Sequence, residues 1–135
     1  MKANELMIGD WVKHSITGQI GKVYRICGNE YIAFINGDSR SEFVEPIPLT
    51  VEILEKNGFN EPPFEMQKRE RFVVLCKEYQ INYYFNINWF SIYKNAGVNG
   101  SDYPVFICAF QERIKYIHEL QHALRLCRIE KEIAL

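Results

Sequence analysis

Two histidines one helical turn apart, in the stretch His-Glu-Leu-Gln-His at residues 118–122, have the types and spacing that could do chemistry. The spacing matches H-E-x-x-H, in which two histidines bind zinc from one face of a helix and the glutamate is the general base of a metallopeptidase. His118 and His122 are therefore the candidate metal ligands, and Glu119 is the candidate base. A weak metal site at the histidine pair, without catalysis, is the alternative that uses the same side chains.

The rest of a zinc centre is harder to find in the sequence. A catalytic zinc takes three protein ligands and one open position. The extended pattern H-E-x-x-H-x-x-G-x-x-H would supply a glycine and a third histidine, but Arg125 and Arg128 occupy those places. The remaining histidine, His14, lies in the N-terminal part of the chain. We therefore expect no catalytic, cofactor-binding or metal-binding residue, and we interpret the stretch as part of an amphipathic helix.

The element that carries these residues is a predicted helix from Arg113 to Arg128. At about 100° per residue, its apolar side chains form one wide stripe. The members of the stripe are Tyr116, Ile117, Leu120, Ala123, Leu124 and Cys127. His118 and His122 fall almost opposite the stripe, beside Lys115 and Arg125. The pattern predicts that the side with the histidines is a solvated surface.

The 135-residue chain is nearly neutral, with 16 lysines and arginines against 17 aspartates and glutamates. Nucleic-acid binders draw most of their non-specific affinity from basic side chains, so this balance disfavours that class. No segment has the length and apolarity of a signal peptide or a membrane span, and we expect a cytoplasmic protein without a membrane partner. The four cysteines lack the paired spacing of a metal site and are interpreted as small core hydrophobes.

The first third of the chain has the pattern of short strands separated by turns. Asn36-Gly37 is a strong hairpin signal, because a two-residue type I′ turn needs positive φ at both central positions, and Gly28-Asn29 is a second. Strands this short and this closely spaced are typical of a small barrel or a tightly curled antiparallel sheet.

The stretch IGDWVKHSITGQIGKVYRI contains G-D-x-V followed by Gly18, Gly21 and Val23. In this it resembles the KOW segment of SH3-like barrels, which occurs in ribosomal and transcription-factor modules that contact RNA or protein. The resemblance implies an SH3-like barrel over residues 1–49. If nucleic acid is the ligand of such a barrel, the candidate phosphate contacts are Lys13, Lys22 and Arg25.

Residues 50–70 are predicted to form a short connecting helix and a loop, with Thr50 as N-cap, Gly58 at the helix end and the Pro62-Pro63 pair in the loop. Residues 71–135 are predicted to form three antiparallel strands followed by the terminal helix. In the second strand the residues from Ile81 to Trp89 alternate with period two. That alternation predicts an outward polar row of Asn82, Tyr84, Asn86 and Asn88.

Three segments, MKANELMIGDWV, FVEPIPLTVEILEKNGF and IKYIHELQHALRLC, together resemble a family of small proteins from gut-bacterial genomes and their phage-like mobile elements. The resemblance implies a turn-rich β module followed by a part with strands and a helix. In that family the helix is identified by its H-x-L-Q core, without a dependable second histidine. The resemblance implies no particular activity, so no functional residue is carried over.

These observations predict an α+β protein: an SH3-like small barrel, a connecting helix, and an antiparallel sheet with a terminal helix. We expect one compact unit, because each part alone is too small to bury much core. The leading hypothesis is a non-catalytic interaction or adaptor module that binds another protein. The alternative is a nucleic-acid-associated module acting through Lys13, Lys22 and Arg25. A zinc hydrolase that uses His118, Glu119 and His122 is the third hypothesis.

Overall fold

The computed structural model describes residues 1–35, 37–61, 71–76, 79–85, 87–95, 104–109 and 113–135. Within these ranges the chain forms ten strands and two α-helices, which confirms the α+β class. The elements are β1 Trp11–His14, β2 Ile20–Lys22, β3 Arg25–Cys27, β4 Tyr31–Ile35, β5 Gly37–Arg40, β6 Val44–Pro46, α1 Val51–Lys56, β7 Arg71–Cys76, β8 Tyr79–Tyr84, β9 Trp89–Asn95, β10 Pro104–Ala109 and α2 Ile117–Leu126. Two short 3-10 helices cover Ala3–Glu5 and Ser41–Phe43.

The chain divides into two compact units that do not follow the chain order strictly. Unit 1 contains Met1–Pro48 together with Tyr116–His122. Unit 2 contains Leu49–Lys115 together with Ala123–Leu135. Helix α2 therefore begins in unit 1 and ends in unit 2, so the two histidines of the H-E-x-x-H stretch belong to unit 1.

Unit 1 consists of two three-stranded antiparallel sheets, with strand orders β2-β1-β6 and β3-β4-β5. Its core consists of buried apolar side chains from both sheets and from the N-terminal segment. They are Ala3, Leu6, Val12, Val23, Ile32, Phe34 and Val44. Across the described part of unit 1, the strands are two separate sheets and do not close into a continuous barrel, so the barrel form of the prediction is not confirmed.

The chain passes from one sheet of unit 1 to the other between β2 and β3. The backbone N–H of Val23 donates to the carbonyl of Asp10 next to β1, and the N–H of Tyr24 donates to Ala33 in β4. Gly21 is needed just before this crossing, because a Cβ at that position would lie 2.0 Å from the carbonyl oxygen of Phe34. The glycine therefore permits the close approach of β2 to β4.

The two predicted hairpins have different outcomes. β3 and β4 pair around Gly28, whose φ is +59°, which confirms the hairpin at Gly28-Asn29, but Cys27 lies opposite Tyr31, so the loop has three residues instead of the two of a type I′ turn. β4 and β5 also pair, but Asn36 lies outside the described residues. Gly37 belongs to β5, and Asp38 lies opposite Ala33. A two-residue turn with Asn36 and Gly37 at its centre would instead place Asp38 opposite Ile35. The register is therefore different from the one that the sequence predicts.

The cysteines only partly follow the prediction of core positions. Cys27, at the end of β3, is exposed, and Cys127 is half-buried. The side chains of Cys76 and Cys108 lie outside the described residues. For Cys27 the prediction is wrong, because its apolar neighbours in the sequence belong to a strand end that precedes an exposed turn.

Unit 2 contains a four-stranded antiparallel sheet with the order β10-β9-β8-β7. The prediction of three strands is wrong, because the long period-two segment is a hairpin: β8 ends at Tyr84 and β9 begins at Trp89. The N–H of Asn88 donates to the carbonyl of Phe85, and Asn88 has a φ of +50°. The buried face of the sheet is apolar and consists, among its described side chains, of Phe72, Val74, Ile81, Tyr83, Phe90 and Ile92.

The predicted outward row of polar residues in unit 2 is also wrong. Asn82 is buried, and its Oδ1 accepts hydrogen bonds from Arg71 and Gln80. Tyr84 and Asn88 are half-buried, and Asn86 lies outside the described residues. Because Asn82 uses its side chain within the unit, it cannot serve as the exposed polar contact that the sequence predicts.

The helices agree with their predicted caps but not with all predicted bounds. Oγ1 of Thr50 accepts from the N–H of Ile53, and Gly58 has a φ of +84° beyond the end of α1. Helix α2 starts four residues later than predicted, since the N–H of Ile114 and the carbonyl of Lys115 form non-helical hydrogen bonds instead. The Pro62-Pro63 loop lies outside the described residues.

Candidate functional site

The second histidine of the stretch is bound to a carboxylate of unit 1. Nε2 of His122 donates to Oδ2 of Asp10 at 2.6 Å, and the same oxygen accepts from the N–H of Met7 at 2.7 Å. Asp10 is fully buried. A buried carboxylate requires such donors, because an unpaired charge away from water is costly. His122 therefore stabilises the turn that precedes β1.

Gln121 is bound to the same turn through both ends of its side-chain amide. Its Nε2 donates to the carbonyl of Gly9, and its Oε1 accepts from the N–H of Trp11, each at 3.0 Å. Gly9 has a φ of +92°, which favours glycine in this turn. We call the side chains of Asp10, Gln121 and His122, with the backbone of Gly9 and Trp11, the polar clamp.

Glu119, the candidate general base, has a structural contact at the start of α2. Its Oε1 accepts from the N–H of Tyr116 at 3.0 Å. This is the reciprocal half of a capping box, in which an acidic side chain three residues into the helix satisfies the N-cap N–H. The same carboxylate would have to leave this position to act as a base toward a substrate.

His118 is buried, with only 6% of its surface exposed, so the prediction of a solvated helix face is wrong for this residue, whereas Lys115 and Arg125 of the same predicted side are exposed. Its ring stacks on Tyr116 and meets His122 edge to face, with centroid distances of 6.0 and 5.6 Å. Within the part of the chain that the structure describes, Nδ1 has no hydrogen-bond partner. Burial is the main influence on the imidazole and lowers its pKa, against weaker opposite effects of nearby carboxylates, among them Glu119 and Asp10.

The described residues contain no group of three or more His, Cys, Asp or Glu side chains arranged to hold a metal ion. His14, the histidine outside the helix, accepts hydrogen bonds at Nδ1 from the N–H groups of Ile16 and Thr17. Its ring also stacks near Phe34 and Phe43. His14 therefore serves the turn after β1 and is not placed with the histidine pair.

The three candidate nucleic-acid contacts each interact with another side chain of unit 1. Lys13 forms an ion pair with Glu45 at 3.5 Å. The guanidinium of Arg25 lies 2.7 Å from the carboxylate of Asp38, whose hydrogen bond and charge raise the pKa of Arg25 above its ordinary value. The ammonium of Lys22 lies 5.2 Å from the ring centroid of Trp11, within the range of a cation–π contact.

Exposed apolar side chains are concentrated in unit 1. Nine large hydrophobic side chains are exposed among the described residues, and six of them belong to this unit. The six are Met7, Ile8, Ile16, Ile20, Tyr24 and Tyr31. Exposed apolar side chains mark a contact surface where they lie side by side in one patch.

The outward side of β2 organises part of this apolar surface. Ile20 and Tyr24 are exposed, with Lys22 exposed between them, while the alternate residues Gly21 and Val23 are buried. On the neighbouring strand, Trp11 lies opposite Lys22 and Lys13 lies opposite Ile20. We call these side chains the outer strip: Trp11, Lys13, Ile20, Lys22 and Tyr24.

The outer strip was not predicted as a site, although the sequence contains a signal for it. From residue 20 the letters I-G-K-V-Y alternate, and two of the three outward residues are apolar. Asp10 and Gln121 were not predicted either, because their contacts join positions more than 100 residues apart in the sequence. No pattern of neighbouring residues in the sequence predicts a contact between positions so far apart.

No protein-family model, curated protein or solved structure matches this chain. None of the helices that the structure describes has the length and apolarity needed to cross a bilayer. The interpretation of the site therefore depends on the geometry of unit 1 alone.

Proposed function

We propose that the protein is a non-catalytic interaction module that binds another protein through the outer strip of unit 1. The observation that carries the proposal is the exposure of Ile20, which is 49% exposed on the outward side of β2, and of Tyr24, which is 54% exposed just beyond the end of that strand. Apolar and aromatic side chains are typical of interface centres, and charged side chains such as Lys13 and Lys22 are typical of the polar rim around them. The cytoplasm of a bacterium is the compartment we propose.

The SH3-like interpretation of unit 1 belongs to this proposal. β2 and β3 are separated only by Val23 and Tyr24 and contribute to different sheets. Strands that switch sheets in this way make the corners of barrel-like sandwiches. The close approach at Gly21 further supports a small barrel-like unit, with the outer strip on its surface.

The aromatic members of the outer strip are held before any partner binds. Oη of Tyr24 donates to the carbonyl of Ile35 at 3.0 Å, and Trp11 has the ammonium of Lys22 over its ring. The N–H of Trp11 is fixed in addition by Gln121 of the polar clamp. Side chains that are already ordered lose less entropy on binding, which favours their use as anchors.

A nucleic-acid-associated module is the second candidate, and one observation favours it. Lys13 and Lys22 lie on the same strip as Trp11 and Tyr24, and aromatic rings with adjacent cations can stack bases and contact phosphates. The carboxylate of Glu45 beside Lys13 opposes this use, since it repels phosphate. Protein is therefore the partner we favour.

The two candidates are separated by a capture experiment with the tagged chain in a lysate of the native host, with and without nuclease. We expect partners that survive nuclease and whose yield falls at least about tenfold with Ile20→Ser, the size of effect found at interface hot spots. Leu75→Ser is the matched control, because Leu75 is an equally outward strand residue of unit 2 and is 67% exposed.

Two results would contradict the proposed function. The first is loss of the captured partners on nuclease treatment, together with capture that falls steeply with salt, which would assign the strip to nucleic acid. The second is an equal loss of capture with Ile20→Ser and Leu75→Ser, which would show that the outer strip has no specific role.

A further inference from the structure

Unit 1 contains an acidic cleft that the motifs of the sequence do not indicate. It has a volume of about 310 Å³ and is bounded by the N-terminal segment, the edge strand β6 and the first turn of α2. The residues that give it its chemistry are Glu5, Glu42, Glu45, Tyr116, His118 and Glu119. The four glutamates come from four different elements or turns, so the cleft exists only in the folded unit.

The charge of this cleft is strongly one-sided. Its described lining includes four carboxyl side chains but no lysine or arginine, and the one ammonium present is that of Met1, which donates to the carbonyl of Ser41. Carboxyl groups are negatively charged at pH 7 under ordinary conditions. A group that complements this lining must therefore carry positive charge.

Two of the four carboxylates have exchangeable partners outside the cleft. Glu42 pairs with Arg40 at 3.0 Å, and Glu45 pairs with Lys13 at 3.5 Å. All four side chains of these pairs are between 38% and 64% exposed. Exposed ion pairs of this kind contribute little stability, so a ligand cation can replace the present partners at small cost.

His118 provides an independent indication of a ligand at the same cleft. It is 94% buried, lines the cleft, and has no hydrogen-bond partner at Nδ1 among the described residues. A buried polar atom without a partner costs free energy, and such atoms require a specific explanation in a native structure. Burial lowers the pKa of the imidazole and so disfavours its cationic form, which would repel an incoming cation.

The lining distinguishes an organic cation from a metal ion. No set of three ligating side chains in the described chain is arranged around a metal, so the carboxylates are too dispersed for a single small ion. A guanidinium group carries five N–H donors on a planar frame, which suits several separated acceptors and stacks on aromatic rings. The lining includes the aromatic residue Tyr116 and the apolar residues Val44 and Pro46, against which the methylene groups can pack.

The cleft is continuous with the outer strip. In the pairing of β1 with β6, Glu45 lies opposite Lys13, a member of the strip, and the two side chains form an ion pair. A protein that covers Ile20 and Lys13 therefore reaches Glu45 without leaving the same sheet. We infer that the acidic cleft receives an arginine side chain of the protein that binds the outer strip.

The assignment of the cleft rests on the proposed function, because it specifies a chemical group of the same partner. It can be tested with a short arginine peptide in place of that partner. The full chain, labelled with ¹⁵N, is titrated with the peptide acetyl-Gly-Arg-Gly-amide and followed by two-dimensional NMR. We expect saturable shifts at Glu45, His118 and Glu119, and no saturation with acetyl-Gly-citrulline-Gly-amide, which has the same shape without the charge. A lysine peptide should bind more weakly, since it offers three donors instead of five.

Variants of the carboxylates complete the test. Glu5→Gln combined with Glu42→Gln should weaken binding of the arginine peptide about tenfold, as expected for the loss of charge-assisted hydrogen bonds. Both residues are exposed, and the spectrum itself verifies the fold. The matched control is Glu55→Gln on α1, an exposed glutamate that does not line the cleft and should leave binding unchanged.

Equal shifts with the citrulline peptide, equal affinity for the lysine peptide, or unchanged affinity in the folded double variant would each overturn the assignment to arginine. The proposed function has a separate readout. If the arginine peptide fails while Ile20→Ser still abolishes capture, the cleft assignment is wrong and the interaction module stands. If the peptide binds while Ile20→Ser has no effect, the outer strip is wrong and the cleft is the binding site.

Discussion

The polar clamp and the outer strip lie in the same unit and share Trp11, yet they use their residues in opposite ways. In the clamp, each polar atom of Asp10 and Gln121 described above has a protein partner, and both residues are buried. In the strip, Ile20 and Tyr24 expose about half of their surface. Gln121 and His122, on the helix with the catalytic pattern, therefore have structural contacts, whereas Ile20 and Tyr24, which belong to no catalytic pattern, are exposed and available for binding.

The difference shows why a short catalytic pattern is a weak indication of function. H-E-x-x-H describes residue types on one helix, but catalysis depends on what surrounds them. Here Glu119 caps the helix and His122 compensates the buried charge of Asp10. A binding surface, in contrast, depends on which side chains remain exposed in the folded unit. Their exposure can be determined only once the pairing of the strands is known.

Asp10→Ala should have the largest effect on stability. The substitution removes the acceptor of both His122 and Met7 and leaves the imidazole without its carboxylate. Losing the acceptor of two hydrogen bonds at a fully buried position costs about 3 kcal/mol, and we expect the free energy of unfolding to fall by that amount in chemical denaturation. Asp38→Ala, which breaks the exposed pair with Arg25, is the control and should cost much less. Similar losses would show that the clamp is not a buried network.

Gln121→Ala should cost about 2 kcal/mol, because it removes two hydrogen bonds of a buried side chain, one to the carbonyl of Gly9 and one from the N–H of Trp11. The same denaturation measurement applies, with Gln19→Ala, an exposed glutamine of unit 1, as the matched control. Since Trp11 also belongs to the outer strip, capture of the partner should weaken as well. Full capture at reduced stability would mean that the clamp does not position the strip.

The fold could be predicted where local patterns decide it. The cap at Thr50 and the turn at Gly28 were predicted correctly, because each depends on contacts within a few residues. The hairpin of β8 and β9 was missed, since alternation has the same period on both sides of a turn and Phe85–Asn88 contains no glycine or proline. Asparagine at the positive φ of residue 88 was the available signal.

The site could be predicted only in part. The helical wheel correctly identified the apolar stripe, but it assumed that a helix has one covered side. His118 is buried opposite that stripe, because the first half of α2 also packs within unit 1 near Tyr116 and Asp10. Polar residues such as Gln121 can therefore lie in contact surfaces that hydrophobicity does not reveal.

The pH dependence of stability tests the burial of His118. Because burial lowers its pKa below the ordinary value of 6.5, the unfolded chain binds a proton at this imidazole at a higher pH than the folded chain does. The free energy of unfolding should therefore fall as pH decreases from 6.5 toward the folded pKa, and this contribution should be constant below it. His118→Leu should remove that slope while retaining the fold, since Nδ1 has no hydrogen bond to lose. Parallel pH profiles of the two proteins would contradict the burial.

Ile20→Ser should have the smallest effect on stability, and this makes it the sharpest test of the comparison. Ile20 lies on the outward side of β2 and is 49% exposed, so the substitution should change the free energy of unfolding by about 0.5 kcal/mol or less. Capture of the partner should nevertheless fall. The exposed apolar surface of Ile20 is in contact with water in the free protein and is buried only when the partner binds. A stability loss as large as that of Gln121→Ala would place Ile20 in the core of unit 1, and the distinction between clamp and strip would fail. A small stability loss with loss of capture would establish that folding and binding use separate residues on two adjacent strands.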